Sequence, residues 1–241
     1  MPLAVFWIFR SVAVTYTRYC TDKNDGIVEN METLLQYINI AGTFAFAISG
    51  SLTAMKKKLD PFGILILAFV TSVGGGTIRD MLIEKRTAFW LVELEYLYVI
   101  VAGTIFAILF RKKLSYLRKT IMLFDSAGLG LFTIAGVEIA LQHGFSSVSC
   151  IILGTITGSF GGVIRDIFAN EVPVIFRKEI YATVTVLGGI CYLLLRKMGF
   201  DFILVQLIPV LMIIVLRILA VYYKWSLPLI IVNENEDPER L

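Results

Sequence analysis

Most residues with chemical potential sit in two short segments, Gly74-Gly75-Gly76-Thr77-Ile78-Arg79-Asp80 and Phe160-Gly161-Gly162-Val163-Ile164-Arg165-Asp166, the second preceded by Gly158. Each closes a long apolar run. Glycine inside a helix costs about 1 kcal/mol relative to alanine, so each cluster invites its helix to bend or open and free backbone carbonyls. In a bilayer such carbonyls survive only where protein or a water-filled path covers them, and carbonyls lining a path are what a desolvated cation needs. The same glycines would equally serve close helix packing, because small residues let two backbones approach. Each arginine or aspartate carries an insertion cost of about 2.5 to 3.5 kcal/mol at a helix centre. Near the span ends the arginines can snorkel to the interface. Turned inward they should pair, and an inverted relation between the segments predicts Arg79 with Asp166 and Arg165 with Asp80.

Two further acids, Asp125 and Glu138, share one apolar run with no basic residue one helical turn away. Each could gather cations at a pore mouth; Asp125 could instead be a helix-start acid favoured by the macrodipole. Ser49, Ser51 and Thr53 add hydroxyls, as do Thr71 and Thr157, although membrane hydroxyls usually bond back to their own helix. His143, the only histidine, falls in a short loop, and Cys20, Cys150 and Cys191 have no disulfide or metal spacing. No histidine-centred metal cluster or nucleophile–base pair is present. The chain therefore reads as neither an enzyme nor a cofactor protein, with no metal beyond transient monovalent cations.

The elements that must position these groups repeat. The two arginines are 165 − 79 = 86 residues apart, and the same offset places Gly42, Phe46, Ile48, Gly50 and Ala54 on Gly128, Phe132, Ile134, Gly136 and Ala140. Thr71, Glu93 and Gly103 fall on Thr157, Glu179 and Gly189 without a gap. An internal duplication of a three-helix unit accounts for this. Apolar residues make up 57% of the 241 and mean hydropathy is +0.80, far above soluble domains, so the chain is an all-α integral membrane protein. Windows of about 20 apolar residues place seven transmembrane helices at 34–55, 62–82, 94–110, 121–141, 148–168, 180–195 and 202–223. Three helices per copy is an odd number, so the two repeats are inverted and a seventh helix stands alone. The organisation is a leader (1–30), a first repeat (31–118), a second repeat (119–200), the seventh helix (201–225) and an acidic stretch (226–241).

Loops with Lys56, Lys57 and Lys58, with Arg111, Lys112 and Lys113, and with Arg177 and Lys178 share one side, which the positive-inside rule makes cytoplasmic. The amino-terminal end is then outside and the acidic stretch inside the cell membrane. The net charge of +3 reflects this bias and gives no nucleic-acid footprint. The lysine-rich loops are topology determinants that could also hold anionic lipid. The leader fits neither a span nor a signal peptide, and Met31 is a candidate start. Asp60-Pro61 reads as a helix cap followed by proline at the first helical position, Pro173 as a turn, and Pro209 as a bend in the last span.

The paired motifs, together with Phe124-Asp125-Ser126-Ala127-Gly128-Leu129-Gly130 and Asn170-Glu171-Val172-Pro173, resemble the prokaryotic trimeric intracellular cation (TRIC) channels, a family also catalogued under a glycine-transporter domain name. The resemblance covers residues 31–225. It implies a homotrimer of seven-span subunits, an ion path in each, kinked second and fifth helices, and weakly selective potassium-permeable conduction. Phe160 departs from the pattern, standing where the first copy has Gly74; it could gate the path or simply pack. Two functions follow as expectations. The first is a monovalent-cation channel using Gly74, Gly75, Gly76, Thr77, Gly158, Phe160, Gly161, Gly162, Ser49, Asp125 and Glu138 along the ion pathway, with Arg79, Asp80, Arg165 and Asp166 as structural or gating pairs. The alternative is a carrier for glycine or another small amino acid, since broken helix ends can hold a carboxylate and an ammonium group.

Overall fold

The computed structural model describes residues 33–84, 86–112, 117–177 and 180–226, with helical backbone alone at 117 and 118. The leader, Cys20 and residues 227–241 lie outside the described residues. Residues 33–38, the first turns of the opening helix, fall outside the unit that begins at Asn39, and the contacts described below are those of residues 39–226.

Every described element is helical: α1 (Thr33–Lys56), α2 (Pro61–Leu82), α3 (Phe89–Val92), α4 (Glu95–Phe110), α5 (Leu117–Gln142), α6 (Ser147–Phe168), a 3-10 turn (Val174–Phe176), α7 (Ala182–Lys197) and α8 (Phe202–Tyr222). The seven expected spans coincide with α1, α2, α4, α5, α6, α7 and α8, and α3 is additional. Five of them, α1, α2, α5, α6 and α8, are long and apolar enough to cross a membrane. The other two have 16 residues each, which at 1.5 Å per residue is about 24 Å against a hydrocarbon core of about 30 Å. Exposed Ile105 and Leu109 on α4, Leu187 and Leu194 on α7, and Leu207, Leu211 and Val215 on α8 give these helices apolar outer faces suited to lipid. The protein is a multi-pass membrane protein.

The helix ends follow from local chemistry. Asp60 accepts a hydrogen bond from the Gly63 amide at 2.8 Å with Pro61 next to it, as its sequence predicts, and Ser146 caps α6. Five helices end on a residue in the left-handed region: Lys58, Asn170, Lys224, Gly144 and Gly199. In each case the following amide reaches back to an orphan carbonyl, as Leu59 does to Ala54 and Glu171 to Asp166, which closes the helix before its last carbonyls are left bare. Pro209 is buried within α8, which continues through it as one helix.

Both glycine clusters lie in uninterrupted α-helix. The expected opening, with freed carbonyls, is therefore absent, and the glycines act through packing. A β-carbon at Gly75 would collide with the Thr157 carbonyl oxygen, and one at Gly161 with the Thr71 carbonyl oxygen. Residues 75 and 161, like 71 and 157, differ by 86, so the α2–α6 crossing is reciprocal. Gly42 faces the Phe132 ring while Gly128 faces Phe46, and these two rings meet at 5.3 Å. Gly50 would bring a β-carbon to 2.8 Å of the Ala68 Cα, and Gly136 to 2.9 Å of the Gly154 Cα. Each contact has its counterpart 86 residues on.

Because overpacking against another side chain already costs about 1 to 3 kcal/mol, Gly75→Ala, which meets backbone, should lower stability by about 3 kcal/mol or more. Gly189→Ala, whose nearest neighbour is an Ile151 side-chain carbon at 3.3 Å, should be mild. Thermal unfolding in detergent compares them; equal losses would contradict the crossing.

Candidate functional site

The carboxyl ends of α2 and α6 repeat one device. Asp80 Oδ1 accepts from Arg79 Nε at 2.9 Å and Nη2 at 2.7 Å, and its Oδ2 accepts from the Phe89 amide at 3.0 Å. Asp166 Oδ1 accepts from Arg165 Nε at 3.0 Å and Nη2 at 2.8 Å, and its Oδ2 from the Val174 amide at 3.0 Å. Each aspartate thus ties its own neighbouring arginine to the chain returning from the helix. The expected pairing across the copies, Arg79 with Asp166 and Arg165 with Asp80, is not formed. Each guanidinium instead gives its Nε and Nη2 to the carboxylate next in sequence, which neutralises its charge locally. Both arginines are buried, which removes snorkelling as their role.

Beyond this shared device the copies differ. Arg165 Nη1 also donates to Asp125 Oδ1 at 2.5 Å and to Ser49 Oγ at 2.7 Å, so one guanidinium joins α1, α5 and α6. The positions 86 residues away from Asp125 and Ser49 hold Asn39 and Ala135, which cannot supply the same contacts. Arg79 instead leaves Nη1 without a hydrogen-bond partner, lies 5.8 Å from the Phe89 ring centre, and shares Asp80 with Arg86 at 2.8 Å. Asp125 lies eight residues into α5, so it is an ion-pair acid and not a helix-start acid. Thr77 bonds back to Val73 and accepts from the Trp90 indole at 3.0 Å.

The Arg165 cluster opens onto a cavity of about 740 Å³, walled by α1, α5, α6 and α8 and bordered by Lys56, Glu171 and Trp225. Gly162 sits against it, since a β-carbon there would come to 3.3 Å of Asp125 Oδ1 and 2.5 Å of the Tyr181 hydroxyl. Of the expected pathway residues, Asp125 lines the cavity with Arg165 and Asp166, while Ser49 and Gly162 stand behind that lining, against Arg165 and Asp125. Gly74 packs on Ile164, Gly76 on Phe89, and Gly158 on Thr133 of α5. Phe160 is half-buried on α6. Glu138 is elsewhere: fully buried, it accepts from the Tyr192 hydroxyl, from Arg196 at 2.6 Å and from Gln142 at 3.3 Å. Glu138 therefore stands apart from the Arg165 cavity, and its carboxylate serves as an acceptor for three side chains joining α5 and α7. Thr71 and Thr157 bond back to their own helices.

At the cavity mouth Glu171 receives Lys57 at 3.0 Å and Lys56 at 3.3 Å, linking the α1–α2 turn to the end of α6. Lys56 and Lys57 are thus engaged within the protein, which reduces what the loop offers to lipid. Hydrogen bonding from Lys57, and then from Lys56, holds the Glu171 carboxyl below its ordinary value.

Sequence reasoning missed Tyr181 and Arg217. Arg217 of α8 donates to the Ile180 carbonyl at 3.1 Å and stands 4.9 Å from the centre of the Tyr181 ring. The signal was available: Arg217 is the sole charged residue in α8, and such a residue inside a span marks function by default.

The pattern of the family described as "Glycine transporter" matches residues 36–112 and 122–197. The two matches begin 86 residues apart. The chain belongs to this TRIC-like family. Among family members, the chain is 40% identical over 197 residues to a "UPF0126 membrane protein" of Vibrio cholerae, covering 81% of this chain and 82% of that protein. It is 41% identical over 160 residues to the "UPF0126 inner membrane protein YadS" of Escherichia coli, covering 66% and 77%. The crystal structure of the TRIC trimeric intracellular cation channel orthologue from Rhodobacter sphaeroides superposes with a TM-score of 0.76 at 32% identity, covering 80% of this chain and 99% of that one.

Removing one partner of a buried ion pair costs about 3 to 5 kcal/mol. Arg165→Gln and Asp125→Asn should each destabilise on that scale, with the double variant losing clearly less than their sum; additive losses in detergent unfolding would contradict the pair. Reversing Arg79 and Asp166 together should not rescue either single reversal. Because the Glu171 carboxyl is lowered in the folded state, its tie is fully present above the ordinary carboxylate value and is lost as pH falls through the folded one. Glu171→Gln should therefore flatten the stability profile in the acidic range, by at most about 1 kcal/mol for so exposed a pair, and added salt should shrink the difference.

Proposed function

We propose that the chain is a monovalent-cation channel of the inner membrane, potassium-permeable, with one pore in each subunit of a homotrimer. In this reading it has seven spans as two inverted three-helix repeats plus α8, the amino-terminal end outside and the acidic stretch in the cytoplasm. The observation that carries it is the cavity that reaches Asp125 and Asp166 and is floored by Arg165, which Ser49 holds from behind. An approach lined by polar side chains and ending on the carboxylates of Asp125 and Asp166 offers a cation oxygen ligands, with Arg165 as the side chain that must move aside for passage. Likeness to a TRIC cation channel at 32% identity over most of both chains supports the same reading, including trimerisation. A glycine carrier would need discontinuous helix ends facing the ligand's carboxylate and ammonium. The unbroken α2 and α6 favour the channel.

Liposomes holding the purified protein test this by potassium flux beside uptake of labelled glycine. Non-saturating potassium flux is expected; saturable glycine uptake without electrical leak would replace the channel by the carrier. Ser49→Ala removes one hold on Arg165 at a stability cost of about 1 kcal/mol, and should raise potassium flux severalfold while leaving the fold intact. Unchanged flux would take Arg165 out of the path.

A further inference from the structure

A second cavity, a slot of about 520 Å³, opens where α1 ends, α2 begins and α4 ends, and it shares no lining residue with the Arg165 cavity. Met55, Leu59, Ile64 and Ile108, with Pro61, make its apolar wall, and Arg111 and Lys112 supply its charge. The order along the chain gives the slot a polarity. Ile64 and Ile108 lie inside the ends of α2 and α4, whereas Arg111 and Lys112 lie beyond the end of α4, so the cations stand at the water side and the apolar wall runs into the bilayer. Both cations are exposed, and neither takes part in an ion pair among the described residues. Lys56 and Lys57, by contrast, are spent on Glu171. Asp60, the acid at the start of α2, gives its side chain to the Gly63 amide. The second repeat has α8 packed on it, with Val205, Val210 and Ile213 in one core with Val184 and Tyr192 of α7; no described helix plays that part for α4.

We propose that this slot binds an anionic phospholipid, with an acyl chain against Met55, Ile64 and Ile108 and the headgroup phosphate on Arg111 and Lys112. Lipid tails are as apolar as the wall they would touch, so burying one in the slot gains little by itself. The wall fixes where the lipid lies, and the two cations decide which lipid it is. Each cation close to an anionic headgroup strengthens attachment about fivefold, which a zwitterionic headgroup forgoes. The site is independent of what passes through the protein.

The full-length protein in an uncharged detergent is titrated with phosphatidylglycerol and with phosphatidylcholine of the same chains, and native mass spectrometry counts the lipid retained. The first phosphatidylglycerol is expected to hold about tenfold more tightly than phosphatidylcholine. That preference should disappear in a variant with Arg111→Gln and Lys112→Gln, whose exposed side chains can be exchanged without touching the core. Ile108→Trp, which fills the slot and keeps both cations, should lower retention of either lipid. Lys119→Gln with Lys224→Gln, equal in charge but remote from the slot, should leave the first lipid in place; an equal fall there would reduce the preference to the diffuse attraction of a basic face and overturn the site. Displacement of the lipid by millimolar inorganic phosphate would make the pair of cations a site for a soluble anion and overturn the lipid. Absence of any retained lipid would overturn it too, and an oligomer broken up by Ile108→Trp would then give the slot to a second copy of the chain.

Discussion

Two helices can meet backbone to backbone only where neither interposes a side chain, and α2 and α6 do so at Gly75 and Gly161. The carbonyl oxygens of Thr157 and Thr71 occupy the space where β-carbons would stand. Much else is arranged around that approach. It brings the carboxyl end of α6 under α1, so that Arg165 can reach Ser49. Bulky side chains are excluded from the crossing itself, and the rings of Phe46 and Phe132 instead fill the neighbouring space against Gly128 and Gly42. The reciprocity of these contacts is what a two-fold relation between matched residues requires. Helix association in lipid has little hydrophobic drive of its own, so such close packing must supply much of the cohesion.

The polar interior follows a second constraint, that a charge withdrawn from water needs a partner and filled hydrogen-bond sites. Arg79 and Arg165 find the partner in the acid next in sequence, although Arg79 leaves Nη1 against the Phe89 ring without a hydrogen bond, and Glu138 finds its partners in Tyr192, Arg196 and Gln142. Arg165 goes further by drawing in Asp125 and Ser49, where the other copy has Asn39 and Ala135. The symmetric scaffold therefore carries an asymmetric charge pattern, and the cavity lies on the side where the additional acid was placed.

The fold was legible because its signals are periodic or local: a helix stands at each apolar run, five of them long and apolar enough to cross a membrane, and Asp60-Pro61 caps α2 as read. The 86-residue offset, read from residue identities, reappears as matched contacts in space. What misled was the glycine chemistry. A run of three glycines weakens an isolated helix, but a neighbour pressed against Gly75 restores the helix by packing, and sequence shows the weakness without the neighbour. The partners of Asp125 and Glu138 escaped for the same reason. Arg165 and Arg196 are 40 and 58 residues away, beyond any helical-turn rule.

The pairing of each arginine with its neighbour also bears on how the chain enters the bilayer. Had Arg79 depended on Asp166, its charge would have waited unpaired while 87 more residues were synthesised. With Asp80 adjacent and its carboxylate already holding two guanidinium nitrogens, the helix can leave the insertion machinery with that charge neutralised. α6 can do the same through Asp166. Each helix thus solves its insertion problem alone, and the order in which the later helices arrive ceases to matter for it.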